Sequence, residues 1–232
     1  MIGSGPSLAR QATEKIPIER AILVNGAIHL LCPPARPFAL VVEDERFIWR
    51  HWQALEQLVP ENTDCYFSTS AIRALCQTAP AWLSTQRIRH MDFVHKPYGR
   101  SRPDQTELKG LPFLRWSADG QAAISLCPGM GLMPAGSVAA TAAQIALALR
   151  PARIGIAGVD LTAMHSPRFY EGQNDKAISR LDRAIERILS TFCLIKQECD
   201  AARIFIEQYS SVSLLMKLGI SYSPRFERQI ES

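Results

Sequence analysis

Short apolar runs alternate with longer segments of helical periodicity along the chain. Apolar and β-branched runs predict strands at residues 21–24, 38–43, 65–67, 88–94, 153–160 and 202–207. Apolar positions with a helical repeat predict helices at residues 7–15, 47–59, 71–77, 137–150, 174–200 and 210–219. Such alternation is typical of α/β proteins, in which helices flank a mostly parallel central sheet. We therefore predict an α/β fold.

Three segments interrupt the alternation. Residues 96–112 are polar and rich in turn formers, which predicts a mobile insertion. Asp119 and Gly120 lie between two short alternating stretches and predict a β-hairpin. Residues 161–175 are irregular and polar, and we expect a lid there. Since neither a repeat nor a linker divides the sequence, residues 1–232 are predicted to form one domain.

Composition excludes several classes of protein. Hydrophobic residues make up 47% and charged residues 21% of the 232 residues, as in ordinary globular domains. The net charge of +4 comes from scattered Lys and Arg, which suits an anionic small ligand or a membrane surface rather than nucleic acid. Six cysteines without a C-x-x-C pair favour a reducing cytoplasm. Neither a signal peptide nor a membrane span is expected, so any contact with the inner membrane would be peripheral.

A glycine-rich turn opens the chain, in the sequence MIGSGPSLAR. Gly3, Ser4, Gly5 and Ser7 could cradle an anion with free N–H groups where a helix begins, although such a turn also forms for steric reasons alone. Only two residues precede Gly3, so we expect a short first strand with little support. A nicotinamide site is disfavoured because Leu8 stands where the dinucleotide fingerprint needs its third glycine.

A second glycine turn and two strand ends are predicted to meet the first turn. Residues 128–137 run into a helix and include Ala135 and Gly136. Asn25 ends one predicted strand and Asp160 ends another. Because ligands of open α/β sheets bind at the carboxyl ends of strands, we expect these residues at one edge.

The predicted lid concentrates chemically versatile side chains. Candidates for acid–base work or for stabilising a leaving phosphate are His165, Arg168, Tyr170, Glu171 and Asp175. A separate acidic run at residues 43–45 is not a D-x-D motif, and it reads equally well as a strand end followed by the first turn of a helix. We therefore assign no metal.

Four motifs in order resemble the bacterial sialyltransferases that use CMP-activated sialic acid. They are IGSGPSL, the strand-end Asn25, AGSVAATAAQIAL followed by GVDL, and IEQYSSVSLL near the end of the chain. The opening is also similar to a wider set of α/β proteins with a G-x-G-P-S loop. The resemblance implies a single Rossmann-like domain with a lid, and an inverting transfer without a metal or other cofactor, in which a CMP-sugar is the donor substrate.

The resemblance also implies roles for individual residues. Ser4 and Gly5 would contact the phosphate or ribose, Asn25 the nucleotide, Ala135 and Gly136 the sugar or cytidine side, and Asp160 the cytidine. Tyr170 and Thr162 would take the places of the family's phosphate-binding tyrosines. Gln173 stands where the family has its catalytic His, so His165, Glu171 or Asp175 takes that role, or the chemistry differs.

The leading hypothesis is a glycosyltransferase that adds sialic acid or a Kdo-like sugar to a glycan or glycolipid during assembly of bacterial capsule or lipopolysaccharide. The sequence leaves open whether the protein forms a homo-oligomer. One alternative is an ATP- and Mg²⁺-dependent diphosphokinase, because pterin diphosphokinases share this type of opening loop. Another is a catalytically inactive binding protein of the same fold, which the departures at Gln173 and Ala135 favour.

Overall fold

The structure, a computed structural model, describes residues 1–162, 166–172 and 184–228. The strands are β1 (Ile22–Val24), β2 (Ala39–Val42), β3 (Asp64–Ser68), β4 (Arg87–Met91), β5 (Leu114–Trp116), β6 (Ala123–Ser125), β7 (Arg153–Ile156), β8 (Phe205–Gln208) and β9 (Ser221–Tyr222). The α-helices are α1 (Glu45–Leu58), α2 (Thr69–Thr78), α3 (Pro80–Ser84), α4 (Gln105–Lys109), α5 (Val138–Ala148) and α6 (Ile185–Ala201). The architecture is α/β, as predicted.

A parallel sheet forms the middle of the molecule. Strands β1 to β4 pair in chain order, and β7 to β9 form a second parallel group. Ile2 joins the two groups because it bridges Leu23 of β1 on one side and Ala157, just after β7, on the other. The first residues of the chain therefore lie at the centre of the sheet rather than at an edge.

The order of the strands creates a binding position. Strands β1 to β4 lie in order on one side of residues 1–3. The later strands β7, β8 and β9 lie in order on the other side. The direction of winding thus changes at residues 1–3. In open α/β sheets a crevice for ligands lies outside the carboxyl ends of the strands at such a switch point.

Helices cover both faces of the sheet, as expected for a Rossmann-like domain. Alternate side chains of β1 divide between the faces: Leu23 packs in the apolar cluster that contains residues of α1 and α2, while Ile22 and Val24 pack with residues of α5 and α6. Burial on both faces explains why the strands read as continuous apolar runs.

Two of the helix predictions are wrong. Residues 7–15 form short 3-10 turns, Pro6–Arg10 and Thr13–Lys15, instead of one α-helix. The intervening backbone pairs with the end of the chain, since Gln11 bridges Glu227 and the N–H of Ala12 donates to the carbonyl of Phe226. Residues 210–219 likewise contain only the 3-10 turn Leu214–Leu218, ahead of the unpredicted strand β9.

Other predicted features have clearer outcomes. The hairpin is confirmed, because β5 and β6 pair antiparallel around a turn that contains Asp119 and Gly120. The polar segment 96–112 contains α4, whose capping box joins Asp104 and Glu107. Of the long predicted helix 174–200, the part before residue 184 lies outside the described residues. Among the helices within the described ranges, none has the length and apolar character needed to cross a membrane.

Candidate functional site

A cleft of about 570 Å³ opens at the carboxyl ends of the central strands, at the switch point. Its volume lies within the range of about 300–1,000 Å³ common for small-molecule sites. The predicted site residues that line it are Gly3, Ser4, Gly5, Asn25, Gly136, Asp160, Arg168 and Glu171. The structure thus brings both glycine turns, two strand ends and part of the predicted lid to one cavity.

The first glycine turn differs from the expected anion cradle. The N–H groups of Gly3 and Gly5 donate to the carbonyls of Ala157 and Gly158, at 2.9 and 2.8 Å. The N–H of Ser7 donates to Oδ2 of Asp160 at 2.9 Å. The turn leads into five residues of 3-10 helix rather than a long α-helix. These three donors are therefore engaged within the protein and do not serve a phosphate, contrary to the expectation of free N–H groups.

Asp160 ties three parts of the chain together. It is only 4% exposed, and besides the Ser7 bond its Oδ1 accepts a 2.8 Å hydrogen bond from the hydroxyl of Ser210. A Cβ atom on residue 5 would lie 2.6 Å from Oδ2 of Asp160, so only glycine permits this approach. Asp160 lines the cleft and also stabilises the turn that forms its wall.

Asn25 has a strained backbone at the cleft. Its φ is +48°, in the left-handed region that non-glycine residues rarely adopt. The side-chain Oδ1 is buried and has no hydrogen-bond partner among the described residues. Strained residues cluster at binding sites, and an unpartnered buried acceptor has the capacity to bind a ligand donor.

The acidic run at residues 43–45 divides into two roles. Asp44 accepts the N–H of Arg46 and caps α1, and it also forms an ion pair with the Arg46 side chain. Glu45 pairs with Arg73 on α2. Asp44 and Glu45 thus agree with the prediction of a strand end followed by the first turn of a helix. Glu43 directly follows β2, lines the cleft and was not among the predicted site residues.

Burial dominates the electrostatics of Glu43. Desolvation raises the pKa of its carboxyl group, and the neighbouring Asp44 charge acts in the same direction. A 3.0 Å hydrogen bond from the Thr141 hydroxyl to Oε2 and the charge of Arg187 oppose that rise. A carboxyl group with a raised pKa in a cleft is a candidate acid or base. The sequence signals for Glu43 were its place at a predicted strand end and its membership of the acidic run at residues 43–45.

Glu171 is held by an arginine at the cleft. Its Oε1 accepts a 2.7 Å hydrogen bond from the Arg168 side chain, and its Oε2 accepts the Arg168 backbone N–H at 3.0 Å. The Glu171 side chain is only 3% exposed. Arg168 lines the cleft as well, so this pair contributes fixed charge of both signs there.

Tyr170 turns away from the cleft into an aromatic cluster. Its ring stacks on His29 with 4.5 Å between centroids and meets the ring of His51 edge-on at 5.5 Å. Burial raises the pKa of Tyr170 and lowers the pKa values of both histidines. The cluster was missed because residues 29, 51 and 170 are far apart in sequence.

The remaining predicted residues are placed elsewhere. The side chains of Ser7 and Ala135 are buried and do not line the cleft, and Thr162 donates to the carbonyl of Val212 at 2.9 Å. His165 and Asp175 lie outside the described residues.

Within the described part of the chain, no group of three or more His, Cys, Asp or Glu side chains is arranged to hold a metal ion.

Comparison with protein-family models, curated proteins and solved structures finds no match to this chain. The chemistry of the cleft is therefore the basis for assigning a function.

Proposed function

We propose that the protein is a glycosyltransferase that moves a CMP-activated acidic sugar, sialic acid or a Kdo-like sugar, to a glycan or glycolipid acceptor. The observation that carries the proposal is the convergence of both glycine turns, Asn25 and Asp160 on one cleft at the switch point of a parallel sheet. This is the position at which open α/β proteins bind nucleotides.

The cleft offers polar and charged groups that can contact a sugar nucleotide. Arg46 and Arg168 line the cleft, each ion-paired with an acid there (Asp44 and Glu171), and guanidinium N–H groups can donate to a phosphate or a sugar carboxylate. The amide of Asn25 offers both an acceptor and donors to a base or ribose. Gly136 and Ser137 line the cleft at the start of α5.

The proposed reaction is a direct displacement. A hydroxyl of the acceptor attacks the anomeric carbon of the CMP-sugar, and the bond from that carbon to the phosphate oxygen breaks. The bonding electron pair leaves with CMP, while the hydroxyl proton passes to a base of the protein. An acceptor on a lipid carrier would bring the protein to the cytoplasmic side of the inner membrane.

Thermal unfolding with a ligand panel tests the donor class. The purified protein is melted with CMP, CDP, ATP or NAD⁺, each with and without Mg²⁺. Selective stabilisation by CMP without Mg²⁺ is expected. Stabilisation by ATP with Mg²⁺ alone would instead favour the diphosphokinase, and no shift with any nucleotide would favour an inactive binding protein.

A matched pair of variants tests where CMP binds. Asn25→Gly removes the side-chain amide and retains a residue that tolerates positive φ. Asn62 also has positive φ, +59°, but lies in an exposed turn before β3. CMP should stabilise Asn62→Gly as it does wild type and stabilise Asn25→Gly less. Equal CMP shifts in the two variants would place the nucleotide away from this cleft.

A further inference from the structure

Among the described residues, Glu43 is the one acid of the cleft whose carboxylate is neither ion-paired nor bonded to a backbone N–H. Asp44 and Glu45 are ion-paired to Arg46 and Arg73, and Glu171 is ion-paired to Arg168. Asp160 accepts hydrogen bonds from Ser7 and Ser210. Among the residues that the structure describes, no lysine, arginine or histidine lies within 4.0 Å of the Glu43 carboxylate to form an ion pair.

Thr141 gives the Glu43 side chain a defined position. Thr141 is fully buried on α5, and its hydroxyl donates to Oε2 of Glu43 at 3.0 Å across 98 residues of sequence. The helix that carries Thr141 begins at the second glycine turn, where Ser137 caps it. The carboxylate is thus held between the end of β2 and the start of α5.

We propose that Glu43 is the general base of the transfer and that Thr141 is its positioning residue, an inference that rests on the proposed function. As the acceptor oxygen bonds to the anomeric carbon, its proton moves to the Glu43 carboxylate. The electron pair of the broken bond leaves on the CMP phosphate. The carboxyl proton then returns to solvent, which restores the carboxylate for the next turnover.

The surroundings of Glu43 suit this role. A base works best when its pKa is close to the working pH, and burial moves the pKa of Glu43 upward from the ordinary glutamate value. The charged groups that act on it are Asp44 at the start of α1 and Arg187 on α6, with opposite effects. Neither of them replaces the Thr141 hydroxyl as a direct partner of Oε2.

The test uses the full chain, CMP-N-acetylneuraminic acid as donor and lactose as a surrogate acceptor, with CMP stabilisation as an independent readout. Glu43→Gln keeps the shape and can still accept the Thr141 bond, but it cannot take up a proton. We expect kcat to fall by about 10²–10⁴-fold while CMP still raises the melting temperature. The matched control is Glu198→Gln on α6, which is outside the cleft and pairs with Arg115.

A second variant covers the case in which Glu43→Gln folds poorly. Thr141→Val removes the hydroxyl at nearly constant volume. Because the Thr141 bond lowers the pKa of Glu43, its loss should move the acidic limb of the kcat–pH profile to higher pH. A purely structural role for Thr141 would lower activity without moving that limb.

The outcomes separate the two proposals. If wild type transfers sugar and Glu43→Gln does so at the same rate, Glu43 is not the base, although the transferase assignment stands. An unmoved acidic limb in Thr141→Val would also count against the inference. If wild type neither responds to CMP nor releases it from the donor, the proposed function fails, and the role of Glu43 fails with it.

Discussion

The carboxylate of Asp160 accepts the backbone N–H of Ser7 at 2.9 Å, across 153 residues of sequence. This bond joins the turn after the first residues of the chain to the segment after β7, which are the two sides of the switch point. The Asp160 carboxylate therefore accepts the hydrogen bond from the Ser7 N–H that an anionic ligand was expected to accept.

Removing the Asp160 carboxylate should reduce stability. Asp160→Ala leaves the buried Ser7 N–H and Ser210 hydroxyl without their acceptor, and we expect a loss of about 3 kcal/mol in the free energy of unfolding. Asp160→Asn keeps one acceptor and should lose less. Urea denaturation measures both variants. Equal stability of Asp160→Ala and wild type would show that these bonds contribute little.

The first glycine turn should not tolerate side chains. In Gly5→Ala the new Cβ would lie 2.6 Å from Oδ2 of Asp160 and 2.8 Å from the carbonyl of Gly158. We expect a loss of about 1–3 kcal/mol, as for overpacked cores. Gly129→Ala is the control because no atom lies within 4 Å of its added Cβ. If both variants melt alike, the close approach at Gly5 is not required.

Neutralising Glu43 should stabilise the protein in a pH-dependent way. Since folding raises the pKa of Glu43 above its ordinary value of 4.5, the folded state holds the proton more tightly than the unfolded state. The contribution to stability is complete below that value and is lost as pH rises through the folded pKa. Glu43→Gln avoids this loss, so its stability relative to wild type should increase from about pH 5 to about pH 8.

Urea denaturation at the two pH values measures the effect. A relative stability that falls towards alkaline pH would mean that the folded protein favours the charged carboxylate, and it would remove the support that burial gives to Glu43 as a base.

Gly26 should control the position of residues 166–172. A Cβ atom on residue 26 would lie 2.0 Å from Cε1 of Tyr170, an overlap that the packed ring cannot absorb in place. We expect Gly26→Ala to displace Tyr170 and to speed proteolysis or hydrogen exchange in that segment. Adding Tyr170→Ala should restore the melting temperature in part. A Gly26→Ala protein with unchanged exchange would show that Tyr170 is not packed there.

The half-buried histidines of the aromatic cluster should make the protein sensitive to mild acid. Burial lowers the pKa of His29 from its ordinary value of 6.5, so the unfolded state binds the proton more readily than the folded state. Stability is therefore fully present above that value and is lost as pH falls towards the folded pKa. His29→Phe keeps a ring against Tyr170 without a charge. Between about pH 7.5 and about pH 5.5 it should lose less free energy of unfolding than wild type.

Hydrophobic periodicity by itself determined the class of fold and the order of most elements. Strands β1, β2 and β3, helices α1, α2 and α5, and the hairpin lie within a few residues of their predicted positions. The grouping of the glycine turns with Asn25 and Asp160 also followed, because strand ends of a parallel sheet share an edge. The elements follow from periodicities that are local in the chain, and their shared edge follows from the parallel pairing that such an alternation favours.

Tertiary contacts decided the rest. Residues 7–15 form 3-10 turns because Gln11 and Ala12 pair with backbone more than 200 residues away, at Glu227 and Phe226. Contacts between residues distant in sequence also explain two hydrogen bonds of the cleft. The Ser7 N–H donates to Asp160, and the Glu43 carboxylate accepts from the Thr141 hydroxyl instead of pairing with an arginine. The type of each side chain limits its chemistry, but its neighbours in space set its pKa and its hydrogen-bond partners. Those neighbours are fixed only when the whole sheet has assembled.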